Sequence, residues 1–261
     1  MEISAMALSN QYPSLKNKVV FISGGATGIG AALVEAFCQQ GAQVAFVDIL
    51  AAEAEQLVRK IGEIPGATKP HFFHCDLTRT ADLQNVLKSV DAQLGPVTVL
   101  LNNAASDTRH DFRTVDEDYW NSRINVNLRH AFFAIQAVYP GMKAAGGGSI
   151  VNFGSMSWYE CQGGMTGYTT AKAALEGMTR GLARDLGQDN IRINTLIPGW
   201  VMTERQLRDW VNEDTLKDIQ RSQCLKNPLM PDDISAMALF LASDDSKMCT
   251  AQNFIVDGGW I

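Results

Sequence analysis

The 261-residue chain predicts an α/β fold: a doubly wound, parallel sheet of seven strands in a three-layer α/β/α sandwich, as a single domain over 1–261. Three observations predict it. Short apolar runs alternate with longer helical segments along the whole length, the order that builds parallel sheets. The runs carry Val and Ile at consecutive positions, as strands covered on both faces do. No repeat, low-complexity tract or linker divides the chain.

Strands are expected at 18–23 (KVVFIS), 43–48 (QVAFVD), 71–76, 97–102 (VTVLLN), 149–154 (SIVNFG), 191–197 and 253–257. Segments such as 28–40 and 81–94 place apolar residues at three- and four-residue steps, and several end at glycine (Gly41, Gly95, Gly187), where a left-handed cap is expected. His71-Phe72-Phe73-His74-Cys75 invites a metal reading. In a strand, however, His71 and Cys75 point one way and His74 the other. A strand burying one face is the better reading, and no metal site is expected. The stretch 200–227 is helical in pattern but polar, and is closed by Pro228 and Pro231. Its weak apolar face predicts a lid over a substrate site.

Hydrophobic residues make up 46% and charged residues 19%, which excludes disordered, collagen-like and coiled-coil chains. The 22 basic and 28 acidic side chains leave a net charge of −6, a balance that repels phosphate backbones and anionic membranes. Neither nucleic acid nor membrane is an expected partner. Cys38, Cys75, Cys161, Cys224 and Cys249 are odd in number and contain no C-x-x-C, as in reduced cytoplasmic proteins. No apolar run is long enough to span a bilayer, and residues 1–12 carry Glu2 without a basic cluster, unlike a signal peptide. A soluble, cytoplasmic protein is expected.

The first strand runs into Ser23-Gly24-Gly25-Ala26-Thr27-Gly28-Ile29-Gly30 and then a helix. Such glycines allow a tight turn and close approach to a pyrophosphate, while the helix N-terminus offers unpaired N–H groups. Asp48 closes the second strand. A carboxylate there accepts from both adenosine ribose hydroxyls and repels a 2′-phosphate. No Arg or Lys directly follows it, so NAD is expected rather than NADP.

The spacing G-x-x-x-G-x-G resembles that of the short-chain dehydrogenase/reductases. The likeness continues through Asp76-Leu77, Asn102-Asn103-Ala104-Ala105, Asn127 in Val-Asn-Leu, Ser155, Tyr168-x-x-x-Lys172, and Pro198-Gly199 followed by Thr203. Ala105 departs from it, since Gly is commoner there. The resemblance implies a Rossmann-like fold. It implies cofactor contacts at Gly24, Ala26, Thr27, Gly28, Ile29, Gly30, Asp48, Asp76, Leu77, Asn103, Ala104, Tyr168, Lys172, Pro198, Gly199, Val201 and Thr203. It also implies a homotetramer, with Trp260 and Ile261 buried between subunits.

Removing hydride from a carbinol carbon also requires a base for the hydroxyl proton. Tyr168 and Lys172 stand four apart in a helical pattern and share a face. An ammonium beside a phenol favours the phenolate, and moving a tyrosine from about 10 to about 7 requires roughly 4 kcal/mol. Ser155 lies 13 residues upstream and completes a triad like the family's, holding the substrate oxygen. Asn127 resembles the fourth catalytic member, which fixes a water linking Lys172 to solvent; Asn125 is the competing candidate.

Asp107-Thr108-Arg109-His110 follows the fourth strand, at the sheet edge where open α/β folds bind ligands. Its polarity suits a ligand with several hydroxyls. Trp158 and Trp200 offer flat faces to sugar C–H bonds, so Asp107, Arg109, His110, Ser155, Trp158, Tyr168 and Trp200 form the expected substrate set. The competing reading pairs Arg109 with Asp111 and puts the tryptophans in the core. The Tyr-Pro-Ser-Leu-Lys of 12–16, the Asp-x-Arg-His loop, the Asn-Phe-Gly-Ser-x-Ser-Trp run and the terminal Asp-Gly-Gly-Trp are similar to those of bacterial NAD-dependent D-xylose 1-dehydrogenases and related aldose dehydrogenases. That implies oxidation of a pentose or 6-deoxyhexose at C1 to the aldonolactone. Tyr159 and the run 161–165 depart from the likeness. The alternatives are a dehydrogenase of another polyol or sugar acid, and a non-catalytic NAD sensor.

Overall fold

A computed structural model describes residues 10–261; the signal-peptide reading of 1–12 therefore lies mostly outside the described residues. In chain order the elements are β1 (Val19–Ser23), α1 (Gly28–Gln39), β2 (Gln43–Asp48), α2 (Ala51–Gly62), β3 (His71–His74), α3 (Thr80–Leu94) and β4 (Val99–Asn102). Then come α4 (Glu117–Ile124), α5 (His130–Ala144), β5 (Gly148–Phe153), α6 (Thr166–Gly187) and β6 (Ile191–Pro198). The chain finishes with α7 (Glu204–Asp209), α8 (Glu213–Ser222), α9 (Pro231–Ala242) and β7 (Asn253–Val256).

All seven strands join one parallel sheet in the order β3-β2-β1-β4-β5-β6-β7. Strand alternation explains the two cores. In β1, Val20 and Ile22 enter the layer with α1, α2 and α9, whereas Val19 and Phe21 enter the layer with α3, α5 and α6. Consecutive apolar residues are thus both buried, as the pattern predicts. The order reverses between β1 and β4, opening a crevice at the carboxyl ends of those strands.

Two local expectations are corrected. Strand β3 does not bury one face: it sits at the sheet edge with Phe72 packed into one core and Phe73 into the other. His71 and His74 are exposed. Gly41 and Gly95 take positive φ (75° and 94°), but α6 runs through Gly187 and the left-handed residue after it is Asn190 at φ 58°. The stretch 200–227 forms two short helices, α7 and α8, of which only Ile219 is buried, so packing follows its polar pattern. Among the described residues no helix is long and apolar enough to cross a membrane, and no group of His, Cys, Asp or Glu is placed to hold a metal ion.

Candidate active site

The turn after β1 is shaped for close approach. Gly28 has φ +57°, and a Cβ on Gly30 would lie 1.8 Å from the Gly24 carbonyl oxygen. The turn is pinned from both sides. Asp48 Oδ2 accepts from the Ala26 N–H at 2.9 Å, and its Oδ1 accepts from the Ile49 and Leu50 N–H groups at 2.8 and 3.1 Å. Asn103 donates to the carbonyls of Ser23 (3.1 Å) and Gly24 (2.9 Å). Over this turn lies a cavity of about 680 Å³ lined by Gly24, Thr27, Gly28, Ile29, Gly30, Asp48, Asp76, Leu77, Asn103, Ala104, Tyr168 and Thr203. Ala26 does not line it and acts through its bond to Asp48. The close approach at Gly30 and a carboxylate at the far rim fit a dinucleotide. Ile49, Leu50, Glu53, Arg205 and Arg208 also line this cavity and were missed, because their positions carry no motif.

A second cavity, of about 470 Å³, shares Ile29, Asn103, Ala105, Asp107, Tyr168 and Thr203 with the first. It is walled by Ser155, Lys172, Pro198, Gly199, Val201 and Trp200. Tyr168 therefore stands where the two cavities meet, with Lys172 in the wall of the second. Ser155 caps the short turn Met156–Trp158, accepting from the Ser157 N–H at 3.2 Å. Lys172, 2% exposed, donates to the Phe153 carbonyl at 2.6 Å and lies 5.6 Å from the centre of the Tyr168 ring.

The electrostatics differ from the simple ammonium–phenol expectation. From the protein's own groups, burial pushes the Tyr168 phenol up to about 12, with the Ser155 hydroxyl pulling it down and the Asp107 charge adding to the rise. Burial likewise brings Lys172 down to about 7, opposed by Asp107. The low polarity that would strengthen their attraction also strips hydration from each charge. Behind Lys172, burial and that lysine's charge hold the enclosed His130 down to about 4.

Asn125 and Asn127 both lie on a π-helical turn, Asn125–Arg129, between α4 and α5, and Asn127 is its buried residue. Asn127 Oδ1 accepts from the Ser106 N–H at 2.7 Å, and its Nδ2 donates to the carbonyls of Ser106 (3.1 Å) and Arg123 (2.9 Å). Its side chain thus holds the loop after β4. Asn125 instead accepts from Arg129 at the surface.

The expected substrate residues divide. Asp107, Arg109, Ser155, Tyr168 and Trp200 line the second cavity. Trp158 does not: its indole donates to Glu176 at 2.9 Å and its ring stacks on Tyr159. Glu176 also accepts from Tyr159 and Asn253, so a buried carboxylate with three donors draws Trp158 away. His110 lies outside as well, 3.1 Å from the Tyr119 hydroxyl. Arg109 does not pair with Asp111, which binds Arg113 at 2.7 Å; its guanidinium rests over Trp210 and against the Met165 sulfur. Gln162 and Met165 of the run 161–165 also line the wall, and Glu160, Gln206 and Trp260 join it unforeseen. Burial raises the Glu160 carboxyl above its usual range, with Arg109 opposing.

Fold and site together define an oxidoreductase built around a nicotinamide-cofactor cleft, with Ser155, Tyr168 and Lys172 lining the adjoining cavity. A family model described as enoyl-(acyl carrier protein) reductase matches residues 24–261, and the chain belongs to that short-chain dehydrogenase/reductase family. It is 47% identical over 251 residues to "Probable galactose dehydrogenase GalD" of Rhizobium meliloti (strain 1021), covering 96% of this chain and 98% of the relative. It is 46% identical over 249 residues to the D-xylose 1-dehydrogenase of Caulobacter vibrioides (strain NA1000 / CB15N), covering 95% and 98%. Among solved structures, 7α-hydroxysteroid dehydrogenase with NADH and 7-oxo glycochenodeoxycholic acid superposes with a TM-score of 0.88 at 29% identity, covering 95% and 96% of the two chains. A blue fluorescent protein from a metagenomic library, complexed with NADPH, gives 0.86 at 35%, covering 95% and 99%.

Proposed function

We propose that the protein is a cytoplasmic, NAD-dependent aldose 1-dehydrogenase that oxidises the cyclic sugar at C1 to the aldonolactone. The observation that carries this reading is the position of Tyr168 at the junction of the dinucleotide cavity and a second cavity, whose wall holds Ser155 and the polar groups of Asp107, Arg109, Glu160 and Gln162 beside Trp200. Acceptors, donors and a flat indole around one small space suit a ring bearing several hydroxyls. The names of the two sugar-dehydrogenase relatives point the same way.

A bound nicotinamide supplies the hydride acceptor and a positive ring charge. The Ser155 hydroxyl holds the anomeric oxygen, and the Tyr168 oxygen takes its proton as hydride leaves C1. Bringing a phenol from about 12 to neutrality requires about 7 kcal/mol. The Lys172 ammonium, 5.6 Å from the centre of the Tyr168 ring, contributes about 3 kcal/mol at an effective dielectric of 20 when protonated, and the positive nicotinamide ring would add to it. Pro198, Gly199, Val201 and Thr203 would border the nicotinamide, and Asp48 would take the adenosine ribose hydroxyls and exclude a 2′-phosphate. The stretch 200–227 would act as the lid, and the assembly would be a homotetramer. The test is NADH formation across pentoses, hexoses, 6-deoxyhexoses and sugar acids. The highest kcat/KM should fall on a neutral aldose, and no rate with any aldose refutes the reading.

A further inference from the structure

The cofactor cavity has the wrong charge for its ligand. Five carboxylates line it (Asp48, Glu53, Asp76, Asp107, Glu204), and among the described residues its only side-chain cations are Arg205 and Arg208. Both sit on α7, and both lie beside carboxylates. Arg208 binds Asp209 at 2.7 Å, and Arg205 lies 2.7 Å from Asp107 Oδ1. The start of α7 rests on the glycine turn: a Cβ on Gly28 would lie 3.3 Å from Thr203 Cγ2. Arg205, two residues on, is half-exposed and free to reorient.

Its pairing with Asp107 is imperfect. Asp107 Oδ1 is shut off from solvent, yet no N–H, that of Arg205 included, is aligned to donate to it. A buried acceptor without an aligned donor is costly, whereas a partly exposed ion pair contributes little. A diphosphate carries two charges and matches the guanidinium fork.

The geometry points to an exchange pair: the cofactor diphosphate takes Arg205 from Asp107, and the released carboxylate accepts a hydroxyl of the sugar. Asp107 is placed for this because it lines both cavities. Each ligand then tightens the other, since coupling between sites is reciprocal. The sugar half rests on the aldose reading; the arginine half does not.

The test uses calorimetric binding rather than turnover, with NADH as the nucleotide so that no hydride can move. NADH is titrated into wild type, Arg205→Gln, Arg205→Lys and Asp107→Asn, with and without D-xylose or D-galactose. Arg205→Gln should weaken NADH about tenfold, Arg205→Lys should restore part of the loss, and Asp107→Asn should tighten NADH by removing the competitor. In wild type the sugar should tighten NADH about fivefold or more. In Arg205→Gln the sugar should bind equally well with and without NADH. An NADH affinity within about twofold of wild type in Arg205→Gln, or undiminished coupling in that variant, overturns the exchange. If Arg205→Gln and Asp107→Asn move NADH in opposite directions while neither sugar binds wild type, the aldose reading fails and the arginine half stands.

Discussion

Replacing Asp48 with Asn tests how the protein chooses its dinucleotide. The carboxylate lies at the rim of the cofactor cavity, and the Oδ1 bonds to Ile49 and Leu50 survive in the amide, so the end of β2 keeps its shape. The bond from the Ala26 N–H to Oδ2 is lost, at a cost of about 1 kcal/mol shared by both cofactors. The lost charge is felt by only one of them. Two unit charges about 5 Å apart at an effective dielectric of 20 repel by about 3 kcal/mol, a factor of about 150. Asp48→Asn should therefore raise the NADP/NAD ratio of kcat/KM by about two orders of magnitude at low salt. The assay is initial rate with each cofactor at fixed sugar, with the melting temperature as a control on folding. Wild-type discrimination should also shrink as ionic strength rises. An unchanged ratio in a folded variant would refute the assignment of Asp48 as the ribose reader.

Four further outcomes follow from the site. Tyr168→Phe should lower kcat by at least about 10² to 10⁴ while NADH affinity, measured by fluorescence, holds; substantial residual turnover would remove Tyr168 as the base. Trp200→Ala should raise the sugar KM about tenfold through loss of its flat face. Trp158→Phe should leave KM unmoved and lower the melting temperature, because its indole serves Glu176; the reverse pattern would restore Trp158 to the pocket. His130 is held down to about 4 against 6.5 in the unfolded chain, so the unfolded state binds the extra proton. Its contribution is full above pH 6.5 and declines as pH falls toward 4, a loss of about 3 kcal/mol. Denaturant titrations of wild type and His130→Leu should show a shallower acid slope in the variant, and parallel slopes would discard this account.

Much of the site was legible because its chemistry is local in the chain. Tyr168 and Lys172 share a helix face by spacing alone, and the glycine turn with Asp48 reads directly from two strand ends. Trp158, His110 and Asn127 were harder. Each side chain's direction is set by a partner distant in sequence: Glu176 for Trp158, Tyr119 for His110, Ser106 for Asn127. The edge position of β3 is of the same kind, since sequence alternation cannot say which strands lie beside it.

The amino-acid sequence by itself determined the seven strands and the doubly wound class, because periodicity encodes them, and it pointed to Ser155, Tyr168 and Lys172 through the likeness of their motifs to the family's. Only the tertiary structure decided which polar groups face the cavity, where the phenol and ammonium stand electrostatically, and that Arg205 lies against Asp107. Those properties depend on burial and on contacts across the sheet edge, and burial is a sum over neighbours that no local pattern contains.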